Sequence, residues 1–78
     1  MTVATVFRNK IPALLSRMEV SIADLQRRTG LSYPGVHSLA SAKFEEISPR
    51  TELGTLQSIA DALGVSVNDL FIAEDNGE

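Results

Sequence analysis

The sequence predicts an all-α fold: a compact bundle of five short helices built around a helix-turn-helix, with short strands at the two termini. Three observations carry this. Residues 21–42 read as two short helices joined by a tight turn at Gly30. Two further segments repeat apolar residues at helical spacing, i, i+3, i+4 and i+7. The stretches T-V-A-T-V-F at 2–7 and L-F-I-A at 70–73 suit strands that pair within one chain or between two. A chain of 78 residues is expected to form a single domain, 1–78.

The elements follow in order. Asn9 suits the N-cap of the first helix, with Pro12 in its opening turn, where a missing N–H costs nothing. Ile11, Leu14, Leu15 and Met18 form its apolar stripe, and Arg17 faces away. Ser21 caps the second helix, with Asp24 three residues on as in a capping box. Ile22 and Leu25 face inward. Arg27 and Arg28 close the helix, where positive charge suits the dipole. Gly30 takes the left-handed position past its end and Leu31 packs back. Ser32 caps the third helix and Pro34 falls in its first turn. Val36 and Leu39 point inward, while Tyr33, Pro34, His37, Ser38 and Ser41 share the opposite face.

Beyond Ser41, Pro49 and the loss of helical period predict a loop, bracketed by Lys43 and Arg50. Phe44 and Ile47 are too apolar to dangle, so they tuck under the bundle or join a dimer contact. Thr51, or else Ser48–Pro49, starts the fourth helix, whose stripe is Leu53, Leu56, Ile59, Ala60 and Leu63. Gly64 ends it, with Val65 as the hydrophobic contact of a Schellman motif. Ser66 then caps a short fifth helix with Asp69 at its third position, and Leu70 and Phe71 anchor it to the core. The acidic tail, 74–78, is expected to be disordered.

Composition excludes several classes of function. Without cysteine there is no disulfide framework and no thiolate metal site, and His37 alone builds none. No cofactor is expected. One histidine, no Gly-rich phosphate loop and no paired buried carboxylates leave nothing from which to assemble an enzyme site. No apolar run approaches the ~20 residues that span a membrane, and no signal peptide is evident, so a cytoplasmic protein is expected. The net charge of −3 argues against a general polyanion binder. Three of the ten acids lie in the last five residues, however, and the remainder is neutral. Charge on one face matters more than the total for binding DNA.

The outward face of the third helix carries hydroxyls, an imidazole and a phenol, without Lys or Glu. Such a face suits a helix that reads hydrogen-bonding edges in a groove; a helical hairpin that only packs is the plain alternative.

Two stretches resemble the Cro-type (XRE-type, lambda-repressor-like) helix-turn-helix family: S-I-A-D-L-Q-R-R-T-G-L-S-Y-P-G-V-H-S-L and T-L-Q-S-I-A-D-A-L-G-V-S-V-N-D-L-F. The resemblance runs from Asn9 to Phe71. It implies a lambda-repressor-like five-helix bundle whose third helix, residues 33–41, lies in the major groove of double-stranded DNA. Leu25, Gly30, Val36 and Leu39 fall on the structural positions of its motif. Ser32, Tyr33, Gly35, His37, Ser38 and Ser41 fall on the reading helix. Lys43 falls where a phosphate contact is common, Arg50 is a second phosphate candidate, and Thr51 begins a helix whose N-terminus often faces a phosphate. The chain departs from the family pattern in three places. Ile22 replaces a Gln that helps hold phosphate. Gln26 replaces a small Ala between the two helices, and the space left by Gly35 would house it. Pro34 and Gly35 replace polar residues at the start of the reading helix.

The expectation is a sequence-specific transcriptional regulator, a repressor working as a homodimer on paired half-sites. The alternative is a protein–protein interaction module, such as an antitoxin-like partner of another protein.

Overall fold

The computed structural model describes residues 5–48 and 50–75. Strand β1 (Thr5–Asn9) leads into helices α1 (Ile11–Met18), α2 (Ile22–Thr29) and α3 (Tyr33–Ala40). A two-residue strand β2 (Glu46–Ile47), helix α4 (Leu53–Leu63), a single 3-10 turn (Val67–Asp69) and strand β3 (Phe71–Asp75) complete the order. Ile11, Leu14 and Leu15 of α1, Leu25 of α2, Val36 and Leu39 of α3, and Leu56, Ile59 and Leu63 of α4 close one core, with Ile47 and Leu70 joining it from the connections. Among the described residues no helix is long and apolar enough to cross a membrane.

The terminal strands pair within the chain. β1 runs antiparallel to β3 in the register Thr5↔Asp75 to Asn9↔Phe71, and antiparallel to β2 with Phe7↔Ile47, so the sheet order is β2-β1-β3. This corrects the all-α expectation: the fold is four α-helices plus a three-stranded sheet. The strand foreseen at 2–7 begins at Thr5, and residues 2–4 lie outside the described ones. The stretch foreseen as a plain loop contributes β2, because pairing with Phe7 carries Ile47 into the core at 4% exposure. The fifth α-helix is instead the 3-10 turn. Only three residues separate the Ser66 cap from Leu70, which is fully buried, and β3 begins at once. An α-helical turn with its i→i+4 bonds has no room there, whereas i→i+3 bonds do. Glu74 and Asp75, expected in a disordered tail, lie in β3; Arg8 Nε donates to Glu74 Oε1 at 2.9 Å across the ladder.

The helix ends largely follow their local chemistry. Ser21 Oγ accepts from the Asp24 N–H at 3.0 Å, but the Asp24 carboxylate pairs with Arg27 instead of returning to close the box. Asp69 does return, accepting from the Ser66 N–H at 3.1 Å. Gly30 and Gly64 end α2 and α4 at φ 73° and 71°. An added Cβ would meet nothing within 4 Å at either, so glycine is needed there for the backbone angle alone. The first N-cap is Lys10 and the last is Glu52, one residue beyond the expected Asn9 and Thr51. Met18 and Leu53, assigned to core stripes, are 41% and 68% exposed. Each is a terminal residue of its helix, where the chain turns away from the layer that buries the rest of the stripe.

Helix α1 ends on Glu19 in the left-handed region (φ 57°), with the Val20 N–H donating to Leu15 O at 2.9 Å. An L-residue pays about 1–2 kcal/mol for that conformation. Glu19→Gly is therefore expected to raise stability by roughly 0.5–1 kcal/mol, net of the greater freedom of glycine in the unfolded chain, in a urea titration.

Candidate nucleic-acid interface

Helix α3 is fixed at both ends by side chains from elsewhere. At its entrance the Gln26 side-chain amide donates to Leu31 O at 3.0 Å, spanning the turn between α2 and α3. Thr29 Oγ1 accepts from the Leu31 N–H at 3.3 Å and donates to Gln26 O at 3.2 Å. The amide of Gln26 is thus satisfied by the turn itself. The expectation that it would occupy space left by Gly35 is corrected: a Cβ on Gly35 would meet Ser32 Oγ at 3.1 Å, with nothing from Gln26 inside 4 Å. Ile22 packs half-buried against the core.

At the exit of α3 stands Asn9, the last residue of β1. Its Nδ2 donates to Leu39 O at 2.6 Å and to Phe44 O at 3.0 Å, while its Oδ1 accepts from the Ile11 N–H at 3.0 Å. A helix leaves its last carbonyls and first N–H groups without internal partners. One amide satisfies one such group on α3 and one on α1, and ties both to the connection after α3. Asn9 read from sequence as a cap, and it does serve the start of α1; its longer reach to α3 came only from the approach of β1.

Between these anchors the outward face of α3 is presented. Ser32 caps the helix, its Oγ accepting from the Gly35 N–H at 3.3 Å, and both residues are exposed. Tyr33 is 48% exposed and its ring lies 5.8 Å from that of His37, tilted by 32°. His37 in turn meets the edge of Phe44 at 6.3 Å and 87°. Lys43 Nζ stands 5.5 Å from the Phe44 ring. The result is a ladder Tyr33–His37–Phe44–Lys43, in which each ring restricts its neighbour. Ser38 is exposed, and its hydroxyl donates to Gly35 O at 2.8 Å, which leaves the oxygen lone pairs facing outward. Ser41, half-buried, turns the chain toward Lys43.

Arg50 and Thr51 lie apart from this ladder, in a turn before α4. The Arg50 N–H donates to Ser48 Oγ at 3.1 Å and the Thr51 N–H to Ser48 O at 3.0 Å. Thr51 also lines an apolar pocket of about 180 Å³ with Phe7, Ile47, Leu56 and Phe71. Among the described residues Lys43 and Arg50 form no ion pair with an acid, whereas Arg27 is paired with Asp24. Glu45, Glu46 and Glu74 gather around Arg8 at the sheet. The hydrogen bond and charge of Glu74, with smaller contributions from Glu46 and Glu45, raise the pKa of Arg8 above its ordinary value, so it stays charged.

Two participants were not assigned to the site from sequence. Phe44 registered only as an apolar loop residue in search of cover. The clamp of Asn9 onto α3 joins residues 30 and 35 positions apart, and no local pattern announces it.

A family model described as the Cro/C1-type HTH DNA-binding domain matches residues 10–76. The chain belongs to that family, and its fold and helix-turn-helix are those of a DNA-binding regulator in the general sense. Comparison with curated proteins and with solved structures returned no match.

Proposed function

We propose that the protein is a sequence-specific transcriptional regulator, a repressor that binds as a homodimer and reads the major groove with α3. The observation that carries this reading is the outward face of α3 and its C-cap, free of Lys, Arg, Asp and Glu, on which Tyr33 and Ser38 are exposed and His37 and Ser41 half-buried, between the anchors at Gln26 and Asn9. A rigid helix can place donors and acceptors at base edges without ordering them on binding. Ser38 and His37 are the candidate base readers, and Tyr33 offers a ring for a thymine methyl. Lys43, with Arg50 and Thr51 in the turn just before α4, supplies the phosphate contacts that set register. None of the readers is an arginine facing guanine, so each contact discriminates modestly and DNA shape contributes the rest. The family is typically non-enzymatic.

The alternative, an interaction module of antitoxin-like kind, draws on the acids clustered around Arg8 and the net charge of −3. Selection of bound duplexes from a random pool separates the two. A two-fold-related motif is expected; no enrichment by folded protein would favour the module. Within the DNA reading, Lys43→Ala is expected to weaken binding on all sequences alike. It should also reduce the slope of log affinity against log salt by about 0.9, the value of one phosphate contact. An unchanged slope would remove Lys43 from the interface.

A further inference from the structure

The leading turn of α3 offers a groove little to hydrogen-bond with. Ser32, Tyr33, Pro34 and Gly35 are all exposed there. Pro34 has no N–H, Gly35 has no side chain, and the Gly35 N–H is already taken by Ser32 Oγ at 3.3 Å. What the turn presents is mostly apolar surface: the pyrrolidine ring of Pro34 and the ring of Tyr33, which is 48% exposed at the first helical position. The Tyr33 ring is also held in place. It lies 5.8 Å from the ring of His37, one turn on, and His37 meets the edge of Phe44 at 6.3 Å. A ring supported in this way gives up little rotamer freedom when a partner arrives.

We propose that this turn reads the C5-methyl group of a pyrimidine, with the Tyr33 ring as the specificity-determining surface. This rests on the DNA reading above and names the chemical feature that it selects. The N-terminal residues of a recognition helix are the ones that meet base edges in the major groove. Base edges display donors and acceptors there, and the C5-methyl is their apolar feature. A donor or acceptor set against Tyr33 and Pro34 would lose its water without gaining a partner, whereas a methyl group gains by leaving water. Thymine carries that methyl in ordinary DNA, and 5-methylcytosine carries it in the same place. The turn therefore takes either base and discriminates against uracil and unmodified cytosine at that position. Ser38 and His37, further along the face, supply the polar part of the readout.

Replacing the thymines of the selected duplex by uracil, one at a time, removes the methyl alone, and fluorescence anisotropy reads the result. One thymine in a half-site is expected to show a loss of about fourfold, the worth of one buried methyl. With cytosine at that position, 5-methylation is expected to raise affinity by the same factor. Tyr33→Ala should bind the thymine and uracil duplexes alike, and as a surface change it should leave the melting temperature within a few degrees. Tyr33→Phe, which keeps the ring, should keep the difference. 5-Iodouracil, whose iodine stands where the methyl was, needs no variant. Irradiation of the wild-type complex is expected to cross-link Tyr33, the one tyrosine of the chain, as identified by mass spectrometry. Specific binding with no uracil-sensitive thymine, a difference that survives Tyr33→Ala, or a cross-link elsewhere would overturn the methyl assignment while keeping the DNA reading. So would 5-methylcytosine bound no better than cytosine, or a difference lost in Tyr33→Phe. Failure of folded protein to select any duplex would overturn both.

Discussion

Ser38→Glu is expected to abolish specific DNA binding, by about 100-fold or more, while leaving the fold intact. The side chain is exposed and, among the described residues, its hydrogen bond runs to Gly35 O, within its own helix. Such back-bonding contributes little to helix stability and Glu is the better helix former, so the melting temperature should stay within a few degrees. On a helix seated in the major groove, a carboxylate would be desolvated between two phosphate backbones. Like-charge juxtaposition at an interface costs several kcal/mol, each 1.4 of which is tenfold in affinity. Fluorescence anisotropy with the selected duplex, alongside a thermal melt, checks both halves. Binding retained by the variant would remove α3 from the interface.

Asn9→Ala is expected to cost about 2–4 kcal/mol in stability. It strips hydrogen-bond partners from Leu39 O, Phe44 O and the Ile11 N–H in a part-buried setting, and an unsatisfied buried group costs roughly 1–3 kcal/mol. Asn9→Asp should be no better, since a carboxylate keeps the acceptor and faces two carbonyls without a donor. The clamp also sets where α3 ends relative to the Phe44–Lys43 connection. Folded Asn9→Ala should therefore bind DNA about tenfold more weakly, as misplacement of the ladder lowers affinity. Ile59→Ala is the control. It is fully buried in α4, is not itself a member of the ladder, and loses a comparable ~2–5 kcal/mol. Equal affinity for the two folded variants would make Asn9 a matter of stability only.

The contrast between Ser38 and Asn9 also separates what could be read locally from what could not. Ser21, Gly30, Ser32 and Gly64 stand where short-range chemistry placed them, because capping and left-handed turns involve residues two to five apart. The inward residues Leu25, Val36, Leu39, Leu56, Ile59 and Leu63 follow from helical period for the same reason. Together with the end signature at 55–71, these suffice for the helix-turn-helix and its family.

The errors share a cause. Met18 and Leu53 obey the period but sit at helix ends, and burial there depends on what lies across the gap. Ile47 stands in a two-residue strand and Glu74 in an acidic stretch, the one too short and the other too polar to announce a sheet; they become strands because β1 arrives between them. The fifth helix shrinks to one 3-10 turn because Leu70 must reach the core before β3 begins.

Local chemistry along the chain was enough for the four α-helices, the caps at Ser21 and Ser32, the polar face of α3 and the class of protein. The packing of the layers set the third strand β2 and the register of the sheet, the Tyr33–His37–Phe44–Lys43 ladder and the grip of Asn9 on α3. The sheet and the grip of Asn9 join residues 30 or more positions apart, and the ladder crosses from α3 into the connection beyond it. Their energies come from backbone pairing and amide–carbonyl bonds that any sequence could make, and which pairs form is set by how the layers pack.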